Sequence, residues 1–221
     1  MANVQKYTMS AVGSMLRHYS RAPDDGVERS NKTIDPDRTH LNYNLAADLH
    51  PEQSQKEYLE NRLSEVKHLD YRKRTNINVL CDWVVTLPDN VPPEREKEFF
   101  KNVYDFLCER YGKENVISAY VHLDETTPHI HFAFVPVVKD EDETERLCAK
   151  ECISRYELQR FHPDLQKYCE EKMEQDVAIL NGATVGGNLT INELKLESAL
   201  KEITEIQAQK KGIEAARPIE T

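Results

Sequence analysis

His122, His129 and His131 fall within the ten-residue stretch His122-Leu-Asp-Glu-Thr-Thr-Pro-His-Ile-His131, with Asp124 and Glu125 between them. Three neutral imidazoles suffice to hold a divalent metal. Three protein ligands also leave coordination positions open for water or substrate, which is the style of a catalytic rather than a structural centre. Imidazole suits zinc, manganese, iron and nickel. A single histidine on a strand is more often a solvated polar side chain, so the argument rests on the spacing and the interleaved carboxylates.

The flanking residues say how these side chains are presented. Val116-Ile-Ser-Ala-Tyr-Val-His122 and His129-Ile-His-Phe-Ala-Phe-Val135 are β-rich and alternate, and Asp-Glu-Thr-Thr-Pro between them is turn-forming. Two strands joined by a short loop are expected. Side chains on a strand repeat every two residues, so His129 and His131 share one face, and Ile130, Phe132 and Phe134 take the other as the core side. If the strands are antiparallel neighbours, His122 lies across from His129 and the three imidazoles converge.

Other segments must position this pair. Residues 4–12 read as a short strand, and a helix is expected from Ser14, as N-cap, to about Arg21, which puts His18 and Arg21 on one face. Residues 22–44 are polar and turn-rich and include Arg38-Thr-His-Leu-Asn-Tyr43. A helix is expected from Ser54 to about Asp70, a buried strand from Asn78 to Thr86, and an amphipathic helix from Pro92 to Tyr111, stopped by Gly112. Residues 154–180 read as a helix or helix pair, 181–188 as a flexible break. Ile191, Leu194, Leu200, Ile203 and Ile206 then mark a helix of roughly heptad spacing, either a packing helix or an oligomerisation stub. This order predicts an α+β fold, most simply an antiparallel sheet with helices on one face, occupying residues 1–188, with a helical extension over 189–221.

Composition bounds the partners. At 221 residues, 39% hydrophobic and 31% charged, the chain suits one substantial domain. There is no apolar run of bilayer length and no signal-peptide pattern at the start, so a cytoplasmic location is expected. Five scattered cysteines fit reduced thiols, and Cys148 and Cys152 lack companions at zinc-site spacing. The formal charge of -10 divides into +1 over residues 1–80 and -11 over the remainder. This weakens a nucleic-acid reading without excluding it, because phosphate binding needs only a local cluster of cations.

Three segments together, His18-Tyr-Ser-Arg21, Asn31-Lys-Thr-Ile-Asp-Pro-Asp-Arg-Thr-His-Leu-Asn-Tyr43 and the histidine stretch, closely resemble the plasmid mobilisation relaxases of the Mob/Pre (MobV) family. The resemblance implies an HUH-type endonuclease fold, in which a central antiparallel sheet carries the metal histidines and helices pack around it. It also implies nicking of one strand at a plasmid transfer origin by transesterification, with the 5′ phosphate left on the protein. The residue matching the nucleophile is His18, which would form a phosphoramidate. Neutral imidazole has a lone pair near pH 7, whereas tyrosine hydroxyl has a pKa of about 10. Tyr19 stands where the family commonly has asparagine and is a second-choice nucleophile.

The implied metal is manganese or magnesium, and a nitrogen-rich ligand set favours manganese. Glu125 is expected to act as proton acceptor or orienter for His18, or as a direct or outer metal partner. Asp124 is expected either to fix a histidine tautomer or to cap the loop. Arg21 is expected to hold the scissile phosphate, and Arg38, His40, Asn42 and Tyr43 to contact an extruded single strand. Leu41 is expected in the core. Single-stranded or cruciform origin DNA, the conjugation machinery and a dimer through the C-terminal helix are the implied partners. Two other classes stay open: an origin-binding module without catalysis, and an iron oxygenase built on His122-x-Asp124 and a later histidine.

Overall fold

The alternating runs pair into one antiparallel sheet whose central strands carry the histidines. The structure is a computed structural model describing residues 1–22, 33–67 and 73–179. Strand β1 (Ala2–Thr8) runs directly into helix α1 (Met9–Ser20). The edge strand β2 (Tyr43–Asn44), helix α2 (Gln55–Glu65), strand β3 (Asn78–Thr86) and helix α3 (Glu96–Tyr111) follow. Then come β4 (Val116–His122), β5 (His129–Phe134), a small hairpin of β6 (Val137–Lys139) and β7 (Glu145–Leu147), and helices α4 (Ala149–Cys152) and α5 (Arg155–Met173). The main sheet has the order β1-β3-β5-β4-β2, with every pair antiparallel. The α+β class and the antiparallel sheet are as expected.

Helices cover both faces of the sheet, not one. On one face Trp83, Ile130, Phe132 and Phe134 pack with Phe99, Val103 and Leu107 of α3 and Phe161 and Leu165 of α5. Trp83 stacks on Phe161 with ring centroids 3.4 Å apart and donates its indole N–H to the Tyr111 hydroxyl at 2.9 Å. On the other face, that of the histidines, Leu80, Ala133 and Val135 pack with Val12, Leu16 and Tyr19 of α1 and Leu59 and Leu63 of α2. The polar half of the β5 alternation therefore marks a site within a buried face and not a solvated one. Every residue of β5 is buried.

Several boundaries differ from the sequence reading. The first strand ends at Thr8, and Ser14 lies inside α1 rather than capping it. Val12, Leu16 and Tyr19, at helical spacing, bury a stripe that begins earlier than Ser14 suggested. Residues 36–41 form a 3-10 turn, and Leu41 is 44% exposed instead of in the core. Helix α2 stops at Glu65, short of Asp70; its start is fixed by a capping box, with Ser54 accepting from the Glu57 N–H and Glu57 accepting from that of Ser54. Of the segment 154–180, the described residues 154–179 contain one helix, α5, which encloses Pro163. No helix among the described residues is long and apolar enough to cross a membrane. The break at 181–188, the helical extension over 189–221 and the dimer it suggested lie outside the described residues.

Gly112 ends α3 at φ 85°, ψ 126°, and a Cβ there would lie 2.7 Å from Glu114 Oε1 and 2.8 Å from Asn115 Nδ2. That turn delivers the chain into β4. Gly112→Ala is expected to destabilise the protein by about 1–3 kcal/mol, read as a lowered urea midpoint.

Candidate metal centre

His122 closes β4, His129 opens β5, and the two are direct cross-strand partners. His131 follows two residues later on the same face. Ring centroids lie 5.3 Å apart for His122–His129, 4.9 Å for His122–His131 and 5.0 Å for His129–His131. All three side chains are buried.

Each imidazole has one nitrogen committed to a fixed acceptor. His122 Nε2 donates to the Tyr19 carbonyl at 2.8 Å, His129 Nδ1 to the Thr127 carbonyl at 2.9 Å, and His131 Nδ1 to Asp82 Oδ2 at 2.8 Å. A carbonyl can only accept, so these bonds assign the tautomers and leave a lone pair on the other nitrogen of each ring. His122 Nδ1 is buried and makes no hydrogen bond within the protein. Three lone pairs, one of them orphaned in the interior, fit a divalent cation. Donor atoms of His122, Glu125 and His129 lie within 4.8 Å of one another, as do those of His18, His122 and His131.

Burial keeps His122 and His129 neutral. Desolvation, then the neighbouring His131, pulls His122 down to about 2 and also lowers His129. A neutral ring is what a metal requires.

The last turn of α1 completes the arrangement. The Tyr19 carbonyl is among those a helix end leaves without an internal partner, and the partial negative charge there favours a cation. His18 Nε2 lies 3.3 Å from His131 Nε2. Burial, with His131 and Arg21 adding, draws His18 down to about 4, so its ring is neutral near pH 7. Tyr19 is fully buried, and burial and the Asp82 charge push its phenol far above the ordinary value. That removes Tyr19 as a second-choice nucleophile.

Arg21 caps α1 in a left-handed conformation, φ 53°, which costs a non-glycine residue about 1–2 kcal/mol. Its guanidinium reaches Asp124 through Nε at 3.1 Å and Nη2 at 2.9 Å, and Glu125 Oε1 at 2.5 Å. Arg21 is therefore buried against two carboxylates rather than presented to a phosphate. Among the described residues Asp124 makes no hydrogen bond to an imidazole: besides Arg21 it accepts from Thr39 Oγ1 at 3.0 Å. Burial alone would raise its carboxyl, but the Arg21 hydrogen bonds hold it at about 2. The oxygenase reading thus finds its Asp124 carboxylate engaged elsewhere.

The carboxylate that orients a histidine is Asp82, which the sequence reading missed. Asp82 pairs with Ala133, so His131, two residues away on β5, is its diagonal neighbour on the same face. A lone charge inside the apolar run Val79–Val85 was the available signal.

Residues 35–43 clamp the histidine loop. The Asp35 N–H donates to the Asp124 carbonyl at 2.8 Å, and Asn42 Oδ1 accepts from the Leu123 N–H at 2.7 Å. Tyr43 pairs with Val121 and packs on the core. Asn42 and Tyr43, both half-buried, therefore brace the loop. Arg38 and His40 are exposed on the 3-10 turn.

Similarity to known proteins agrees with this geometry. A family model described as plasmid recombination enzyme (Mob/Pre) matches residues 1–177. A plasmid recombination enzyme of Bacillus thuringiensis is 34% identical over 175 residues, covering 77% of this chain and 37% of its own length. One from Streptococcus agalactiae is 32% identical over 176 residues, covering 77% and 34%. The chain thus spans little more than a third of these curated relatives. A solved structure, the MobM relaxase domain bound to manganese and a 22-nucleotide plasmid oriT DNA, superposes with TM-score 0.71 at 28% identity, covering 89% of this chain and 97% of that one.

Two substitutions test the centre. Asp82→Asn is expected to weaken Mn2+ binding about ten- to a hundredfold by calorimetry while the circular dichroism spectrum is kept. Arg21→Ala strands the Asp124 carboxylate, whose side chain is 0% exposed, and is expected to cost about 3–5 kcal/mol in urea unfolding. Arg21→Lys should not restore the loss, because an ammonium cannot bridge both carboxylates in the same way.

Proposed function

The chain belongs to the plasmid recombination enzyme (Mob/Pre) family, and from that premise we propose that it nicks one DNA strand at a plasmid transfer origin by metal-dependent transesterification. The observation that carries the reading is His18, neutral and 3.3 Å from one of three buried imidazoles whose other nitrogens are already committed.

His122, His129 and His131 would hold the metal, with Glu125 within reach of two of them. Bound there, a divalent ion supplies neutralisation of charge on the scissile phosphate. Nitrogen donors favour manganese over magnesium. The MobM relaxase domain was crystallised with manganese, in support of that choice.

The chain's own groups do the remaining work. A lone pair of the His18 ring attacks phosphorus, and the P–O3′ bond breaks with its electrons on the 3′ oxygen. The ring N–H proton passes to solvent while the 3′ oxygen takes one up as hydroxyl, leaving the 5′ phosphate on nitrogen. Glu125, held by Arg21, stands as orienter or proton acceptor; Arg21 acts through the carboxylates it fixes. Arg38 and His40 on the exposed turn are the proposed strand contacts. Origin DNA in single-stranded or cruciform form, the conjugation machinery and a cytoplasmic location complete the reading.

The test is supercoiled plasmid carrying the cognate origin, incubated with Mn2+. Wild type is expected to give open circles with protein on the 5′ end, and EDTA to abolish them. His18→Ala should lose the adduct by roughly 10⁴-fold or more while still binding the strand. His129→Ala should lose Mn2+ binding and nicking together. Binding without nicking by wild type at any metal tried would replace this reading with that of an origin-binding module.

A further inference from the structure

A concavity lies on the sheet face that carries the histidines, between the β2 edge and the start of α2. It encloses about 370 Å³, within the range of pockets that take small molecules, and its working walls are Asn44, His50, Gln53, Gln55, Tyr58 and Tyr120. We propose that it seats one unpaired nucleobase of the strand cut at the metal centre. This rests on the nicking function proposed above.

The walls suit a base. His50 and Tyr58 are stacked, centroids 3.3 Å apart and planes at 16°. Their polar ends are tied down, His50 Nε2 to the Val116 carbonyl at 3.2 Å and the Tyr58 hydroxyl to the Glu114 carbonyl at 2.6 Å. The aromatic platform is therefore fixed before anything binds. Gln55 Oε1 is buried with no hydrogen-bond partner in the protein, an acceptor that an N–H on an unpaired base edge would satisfy. Among the described residues no lysine or arginine lines the cavity, which argues for a base and against a phosphate.

Position supports the assignment. Tyr120 shares this cavity and is the cross-strand partner of His131, two residues before His122 on the same face. One wall of the cavity, Tyr120, thus lies about 7 Å along β4 from His122, within one or two nucleotide steps of an extended strand.

The experiment measures fluorescence anisotropy of labelled single strands covering the cognate nick site, with Mn2+, each strand carrying one abasic position. Wild type is expected to show one position, within two nucleotides of the cut, where base removal weakens binding about tenfold or more. In Gln55→Ala and in His50→Ala that penalty should shrink at least threefold. Gln55 is at the partly exposed start of α2, so its variant remains informative if His50→Ala does not fold. Equal penalties in wild type and Gln55→Ala, with nicking retained, would overturn the base seat and leave the nicking function standing. Failure of wild type to bind or cut any origin strand would overturn both.

Discussion

An imidazole can give a metal only the nitrogen it does not protonate, and here the acceptors that decide this come from three separate places. The end of α1 supplies the Tyr19 carbonyl, the loop supplies that of Thr127, and β3 supplies Asp82. None lies within the strand that carries the ring it controls. The three rings therefore stand together with their tautomers set only when α1 is packed on the sheet, β3 is in register and the loop is closed. In this molecule the centre is a property of the tertiary structure, and the histidine spacing is a necessary part of it that would not suffice alone.

Alternation made β3, β4 and β5 legible in the sequence, and with them the convergence of His122, His129 and His131. Gly112 was legible too, because a helix stop of that geometry favours glycine. What escaped were features decided by partners distant in sequence. Asp82 looks like an interruption in an apolar strand until its diagonal neighbour is known. Asn42 and Tyr43 read as ligand-facing because they are polar and lie in a loop; that they also brace the β4 edge, through the Asn42 side-chain oxygen and the Tyr43 backbone, depends on a strand distant in sequence. The start of α1 was misplaced because Ser14 resembles a helix cap, whereas the helix's apolar stripe of Val12, Leu16 and Tyr19 already begins before it. The element order by itself suggested helices on one face only, and it was the family resemblance that implied helices around the sheet.

The acidic balance also gains a physical reading. Several arginines are neutralised locally: Arg62 by Glu65 and Glu145, Arg110 by Glu157 and Asp164, Arg146 by Asp140 and Glu151. Such pairs add little stability where they are exposed, but they take those cations out of the long-range field. The net charge of -10 then leaves the long-range field unfavourable to a polyanion, so a strand would need local contacts such as those the exposed Arg38 can offer. A protein of this charge would hold a strand by site and not by general adhesion.

The six residues of β5 are hydrogen-bonded on both sides, to β3 and to β4. Inserting or deleting one residue there would exchange the histidines with Ile130, Phe132 and Phe134, losing chemistry and core in one step. Descendants of this gene therefore cannot adjust the two independently: the strand is inherited as a single unit with a frame of two. Diversification has to enter where register is not at stake, in the 3-10 turn over 36–41 or along the β2 edge, so those segments can drift between lineages while the histidine frame stays fixed.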